Sequence, residues 1–215
     1  IMALTRFSKA NNPRADYAGV KSHLSTWVEI GVAVIEAVLL IGFAIPLWAR
    51  AVDHFPKPEE NPIDIQIMGQ QFAWNSHYAG PDGKMGRQSI EFANATNQFG
   101  IDAKDEAAKD DVTTTGNEVF KLPIGRPVIC RISSMDVIHC FKLVDMRVTQ
   151  DAVPGLTIPV HFTPTKAGKY VITCAQLCGN GHAVMKGFYE VVSQAEYDKW
   201  FAEKAKSGGA GASFE

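Results

Sequence analysis

Several things are scarce in this sequence, and each scarcity closes off a class of protein. Cysteine occurs 4 times in 215 residues, too few for a disulfide scaffold of this length. Neither sign of charge is in excess. The net charge is −2 and the pI about 6.3, which argues against a nucleic-acid partner. There is no glycine-rich phosphate loop and no Cys-x-x-Cys-His haem-attachment site, so any haem chemistry belongs elsewhere. Apolar residues make up 46% of the chain, enough for one globular domain with additions.

What is present is concentrated. Cys174, Cys178, His182 and Met185 follow one another at C-x3-C-x3-H-x2-M spacing. Gly179 and Gly181 let the backbone bend so that these side chains converge. His139, in Asp136-Val137-Ile138-His139, is the candidate for a second imidazole. Three readings compete. A Cys174–Cys178 disulfide explains the thiols but leaves the histidine and methionine spacing to chance. Structural zinc would take Cys174, Cys178, His182 and His139 as a tetrahedron and has no use for Met185. Copper used for electron transfer suits thiolate, thioether and imidazole together. A mononuclear blue site needs one cysteine, two histidines and a weak axial methionine, one thiolate fewer than are present. Two thiolates can instead bridge two coppers, each capped by one histidine.

This loop, Asp136-Val137-Ile138-His139 and Asp151-Ala152-Val153-Pro154-Gly155 together resemble subunit II of the haem–copper cytochrome c oxidases. The likeness covers nearly the whole chain. It implies a cupredoxin-like domain with the binuclear mixed-valence copper centre called CuA. Carried over position by position, the ligands are His139, Cys174, Cys178, His182, Met185 and the main-chain carbonyl of Gln176. In the family, electrons arrive from cytochrome c at a surface tryptophan. Phe72 replaces it here, while Trp74 matches the family's second tryptophan. Around that point the family carries acids. Asp136 and Asp151 keep them, whereas Met135 and His77 do not, which implies an apolar docking surface with weak charge steering. Gln176 lacks the carboxylate with which the family holds magnesium at the junction with subunit I, so magnesium there is doubtful.

Taken in order, residues 1–25 read as a cytoplasmic-side segment with Arg6, Lys9, Arg14 and Lys21 against Asp16. Ile1–Phe7 is either the end of a first membrane helix outside this sequence or part of a one-helix chain. Residues 26–48, Thr26 to Trp48, are mostly apolar and cover about 35 Å as a helix, enough to span a membrane. The upstream basic residues put the domain that follows on the outer face. Glu29 and Glu36 lie inside this span near one helical face. By the resemblance, Glu29 matches a glutamate at the mouth of a proton pathway into subunit I, and Glu36 matches no family carboxylate.

Residues 49–62 form a proline-rich linker with Pro56, Pro58 and Pro62. From 63 to 192 β-signals dominate. Strands are expected at Ile63–Met68, Glu118–Leu122, Arg126–Ser133, Val137–Val148, Ile158–Phe162, Lys169–Thr173 and Gly187–Val192. The fold expected is mainly β, a cupredoxin-like antiparallel sandwich or barrel preceded by a transmembrane helix. The acidic stretch Asp102–Asp111 reads as a solvated loop. Residues 193–215 read as a helix opened by Ser193 and Glu196, running to about Lys206, then a flexible tail. Cys130 and Cys140 are either a disulfide or buried free thiols.

The function expected is an electron-accepting subunit of cytochrome c oxidase in the bacterial inner membrane, its copper domain on the periplasmic face. Its partners would be subunit I, which holds the haem, other oxidase subunits, and cytochrome c or a partner cytochrome complex. The alternatives are the copper domain of a nitrous-oxide reductase and a zinc-stapled structural membrane subunit.

Overall fold

Ile63, Ile65 and Ile67 alternate with Asp64, Gln66 and Met68, which places the isoleucines on one face of an extended chain. In the computed structural model that stretch is β1 (Ile63–Gln70), and its burial alternates in step. The structure describes residues 1–16, 18, 19, 21–116 and 118–207. It divides into an N-terminal helical unit, Ile1–Arg50, and a second unit from Ala51 onwards.

The helical unit opens with a short α1 (Met2–Arg6). The apolar run is helical throughout Leu24–Val52, extending past both ends of the expected span. It comprises α2 (Leu24–Leu39), a π-helical turn at Leu40–Ala44, and α3 (Ile45–Val52). The widened turn just precedes Pro46, whose missing N–H and bulky ring disturb the regular ladder at that point. At 29 residues the helix is about 43 Å long, ample for a hydrocarbon core of about 30 Å. It buries none of its own residues in this chain, so its apolar surface is left for lipid or for other helices.

The second unit is a sandwich of two five-stranded sheets. The first has the order β3-β2-β1-β5-β8 and contains β2 (Ala73–Tyr78), β3 (Val112–Thr114), β5 (Val128–Ser134) and β8 (Ile158–Phe162). The second has the order β4-β10-β9-β6-β7 and contains β4 (Phe120–Pro123), β6 (His139–Leu143), β7 (Val148–Ala152), β9 (Gly168–Cys174) and β10 (Lys186–Val192). Ile65, Ile67, Leu122, Phe141, Leu143 and Ile172 fill the space between them.

The sandwich follows expectation, with two corrections. Each sheet holds one parallel pair, β1 with β5 and β10 with β4, so both are mixed rather than antiparallel. Parallel neighbours need a long crossover, and each pair is indeed joined through much intervening chain. The run Val137–Val148 is not one strand. It breaks into β6 and β7 around a turn that Arg147 closes by donating its N–H to the Val144 carbonyl (3.2 Å). The C-terminal helix α4 (Gln194–Ser207) opens where Ser193 Oγ accepts from the Glu196 amide at 3.3 Å. It lays Tyr197 and Trp200 against Tyr78 and the core. The tail expected after it lies outside the described residues.

The acidic insertion is not merely solvated, and this is a third correction. Asp111 is fully buried and accepts from His77 Nε2 (2.8 Å), the Gly86 amide (2.9 Å) and the Gly80 amide (3.1 Å). His77 Nδ1 is within 2.9 Å of Gln66 Oε1, and Phe99 packs on the His77 ring. Phe99, Ile101 and Ala108 form a small second core with Met68 beside it. The insertion therefore covers the outer face of β1 and β2, which is why five successive residues of β2 are buried.

A buried carboxylate with three donors leaves those donors unpaired when it is removed. Asp111→Ala should cost about 3–5 kcal/mol in urea unfolding, whereas Glu91→Ala on the exposed side should stay within about 0.5 kcal/mol. Equal, small effects would show that the insertion is not fastened by Asp111.

Candidate metal centre

Strand register collects three loops at one end of the sandwich. β1 and β5 run in parallel with Gly69 opposite Ser134, so the β1–β2 turn lies beside the 135–138 loop. β6 begins at His139 and pairs with β9 so that Phe141 faces Cys174. β9 and β10 pair from Thr173 with Lys186, closing residues 174–185 into a loop at the same end. Hydrogen-bonded register thus brings His139 and Cys174, 35 residues apart in sequence, to one end of the sandwich.

His139 is fully buried. Its Nε2 lies 2.8 Å from Asp136 Oδ1, which sets the tautomer and leaves Nδ1 facing the Cys174 sulfur at 3.9 Å. The same carboxylate accepts from the Gln71 amide and the Val137 amide, both at 2.7 Å. Burial opposes the charge on Asp136, but the hydrogen bonds from Gln71, His139 and Val137 outweigh it and hold the carboxyl below its ordinary value.

The two sulfur atoms of Cys174 and Cys178 stand 3.8 Å apart, both buried. A disulfide needs about 2.05 Å, and all four cysteines of the chain are free. Each sulfur has its own imidazole and its own weaker donor. Cys174 has His139 and the Gln176 carbonyl, the latter at 3.1 Å. Cys178 has His182 Nδ1 and the buried Met185 Sδ, both at 3.7 Å. His139, Cys174 and Cys178 place their donor atoms within 4.8 Å of one another. The two cysteine sulfurs and the four donors beside them are more than tetrahedral zinc takes, and the mixture of thiolate, imidazole and thioether suits copper. The Gln176 side chain itself is exposed.

Phe72 and Trp74, expected together at a docking surface, part company. Phe72 is 38% exposed, but Trp74 is 5% exposed and belongs to the core, edge-on to Phe141 at 5.3 Å and to His139 at 6.0 Å. Strand alternation on β2 turns its indole inward. His77 leaves the docking surface too, since it is buried against Asp111. Cys130 and Cys140 are buried free thiols on opposite sheets. Burial, and then Asp151, push the Cys140 thiol up to about 11. Glu29 and Glu36 lie on exposed positions of α2. Sequence reasoning missed Gln71 altogether and read Asp136 as a docking acid. The Asp136-x-x-His139 spacing was a readable sign of its role in holding the imidazole.

Comparison with known proteins bears on this geometry. Residues 63–192 match the family described as cytochrome c oxidase subunit II, periplasmic domain. An alternative cytochrome c oxidase subunit 2 of Bradyrhizobium diazoefficiens is 28% identical, over 95% of this chain and 72% of that protein. A probable cytochrome c oxidase subunit 2 of Rickettsia bellii is 30% identical, over 96% of this chain and 71% of that protein. Its counterpart in Rickettsia felis is 31% identical, with 94% and 59% covered. The crystal structure of the periplasmic domain of cytochrome oxidase subunit II of Bradyrhizobium japonicum shares the fold. Its TM-score is 0.52 at 22% identity, over 67% of this chain and 94% of that one. A subunit II domain solved as a mixed disulfide intermediate with a thioredoxin-like protein gives 0.50 at 23%, over 69% and 95%.

Burial first, and then the hydrogen bond with Cys174, raise the Cys178 thiol to about 11. It is protonated near neutral pH, while a metal takes the thiolate. Copper uptake should therefore release protons, and apparent affinity should rise with pH by about tenfold per unit for each proton lost. Affinity that stays flat between about pH 6 and 8, without proton release in calorimetry, would show that these thiols are not the ligands.

Proposed function

The chain belongs to the cytochrome c oxidase subunit II family, and we propose that it is the subunit through which a terminal oxidase receives its electrons. It takes single electrons from cytochrome c, or from a partner cytochrome complex, and passes them to haem in subunit I, where oxygen is reduced. The observation that carries this reading is the pair of buried, unbonded sulfurs 3.8 Å apart, each with an imidazole and a weaker donor beside it. His139, Cys174, Cys178, His182, Met185 and the Gln176 carbonyl would hold a binuclear CuA centre. When bound, that centre supplies a one-electron carrier.

The protein's own residues do the rest. The β6–β9 pairing fixes His139 and Cys174 relative to each other, so little atomic movement accompanies a change of charge. Burial of His139, Cys174, Cys178 and Met185 keeps bulk water from the sulfurs. Around this end the surface is apolar: Phe72, Met135, Val137, Ile138, Leu177 and Val184 are all exposed. Of the two acids kept here, Asp136 already holds His139 and two amides, which leaves Asp151, exposed on β7 opposite Cys140, as the other. A donor therefore meets an apolar face with little charge of its own. Phe72 is the contact point, and Trp74 packs the metal end from within.

The apolar helix Leu24–Val52 supports anchoring in a membrane, which we take to be the bacterial inner membrane with the copper domain on its periplasmic face. A thiol-exchange partner before metal loading is a further element of the proposal. It is suggested by the relative captured as a mixed disulfide with a thioredoxin-like protein.

In the assembled oxidase, Phe72→Ala should keep its copper yet accept electrons from cytochrome c about tenfold more slowly, a loss of roughly 1.4 kcal/mol at the contact. The rate should depend only weakly on ionic strength. Unchanged transfer in the variant, or a steep many-charge salt dependence in the native protein, would rule out apolar docking at Phe72.

A further inference from the structure

Gln71 supplies no donor to the metal, yet it is hydrogen-bonded to both halves of the site. It lies in the turn between β1 and β2, on the first sheet, while the ligands come from strands and a loop of the second. Its main-chain N–H donates to Asp136 Oδ2 at 2.7 Å, and the other oxygen of that carboxylate lies 2.8 Å from His139 Nε2. Its side-chain Nε2 donates to the Cys178 carbonyl at 2.7 Å.

The two halves are not equally well held. His139 and Cys174 sit at the ends of paired strands. Cys178 and His182 belong to the loop between β9 and β10, whose own hydrogen bonds are short-range turns such as the His182 amide to the Gly179 carbonyl (3.0 Å) and the Met185 amide to the Gly181 carbonyl (3.0 Å). Met185 is tied back to β9 by the Cys174 amide (3.2 Å), while, among the described residues, the Gln71 amide is the tie that reaches Cys178 from outside this loop. The loop is also shaped to receive it. At Gly179, where φ is +129°, a Cβ would come within 2.8 Å of Gln71 Nε2. At Gly181 a Cβ would come within 2.3 Å of the Phe72 ring. Gly179 has the left-handed bend that the sequence suggests, whereas Gly181, at φ −89°, needs no glycine for its backbone; together they make the seat for residues 71 and 72.

We propose that Gln71 is a positioning residue of the metal centre, a brace that holds the Cys178–His182 half of the loop at ligand distance from the His139–Cys174 half. The inference rests on the copper reading above and adds to it the residue that fixes the spacing. Outer partners of this kind commonly govern metal retention by about 10- to 100-fold. Because the Gln71 side chain is exposed, changing it should leave the metal-free fold intact.

The test uses the full chain in detergent, loaded with copper, and follows the rate at which a chelator strips the metal, alongside melting of the metal-free protein. Gln71→Met keeps the length of the side chain without a donor, and Gln71→Glu puts an acceptor against the Cys178 carbonyl. Both should lose copper about 10- to 100-fold faster than the native chain, with altered sulfur-to-copper absorption bands and unchanged metal-free melting. Gln71→Lys restores a donor and should recover much of the retention. Native retention in the Met and Glu variants would overturn the brace alone. Loss of copper that only tracks a fall in metal-free melting, with no recovery in Gln71→Lys, would also overturn it. A native chain that takes up no copper would overturn both the brace and the function on which it rests.

Discussion

Two thiols 3.8 Å apart need close by less than 2 Å to become a disulfide in the presence of an oxidant. That spacing is set by two different elements, and the candidate metal site is built on it. Cys174 is the last residue of β9 and is fixed by pairing with β6. Cys178 lies in a loop, held by turns and by the Gln71 amide. The remaining donors are arranged around this fixed pair. His139 reaches Cys174 because it starts the neighbouring strand, and His182 and Met185 reach Cys178 because a short 3-10 turn folds the loop back.

The rest of the domain keeps that end stiff. The parallel pairing of β1 with β5 delivers Gln71 to Asp136, and the core between the sheets holds the two pairings in place. On the far side of the first sheet the acidic insertion is locked by a buried carboxylate and a buried imidazole, so β2 is packed on both faces. Polar groups so placed are costly unless each finds its partner, and His77 and Asp111 both do. The apolar helix has a separate task. It buries none of its residues in this chain and presents an apolar surface suited to a bilayer or to other helices.

Much of the site was legible because its chemistry is local. Four donors within one loop at regular spacing announce a metal without any knowledge of the fold, and His139 was the obvious companion. β1 was legible from its alternation. What stayed hidden depends on distant neighbours. Parallel register between residues near 65 and 130 leaves no mark in either segment. The turn at 144–147 has neither glycine nor proline, and Arg147 takes a left-handed conformation (φ 56°) that its residue type does not advertise. Trp74 looked like a surface aromatic because its motif suggested one, whereas strand alternation buries it. Asp111 could not be told from the solvated acids around it, since nothing in its own stretch shows that His77 is opposite. Gln71 was invisible for the same reason.

The central claim is that two metals share these two sulfurs. Metal analysis joined to EPR on the copper-loaded protein addresses it most directly. The account predicts two coppers per chain and one unpaired electron spread over both, seen as a hyperfine pattern of more than four lines. One copper per chain with ordinary four-line splitting, or bound zinc with no signal, would contradict it.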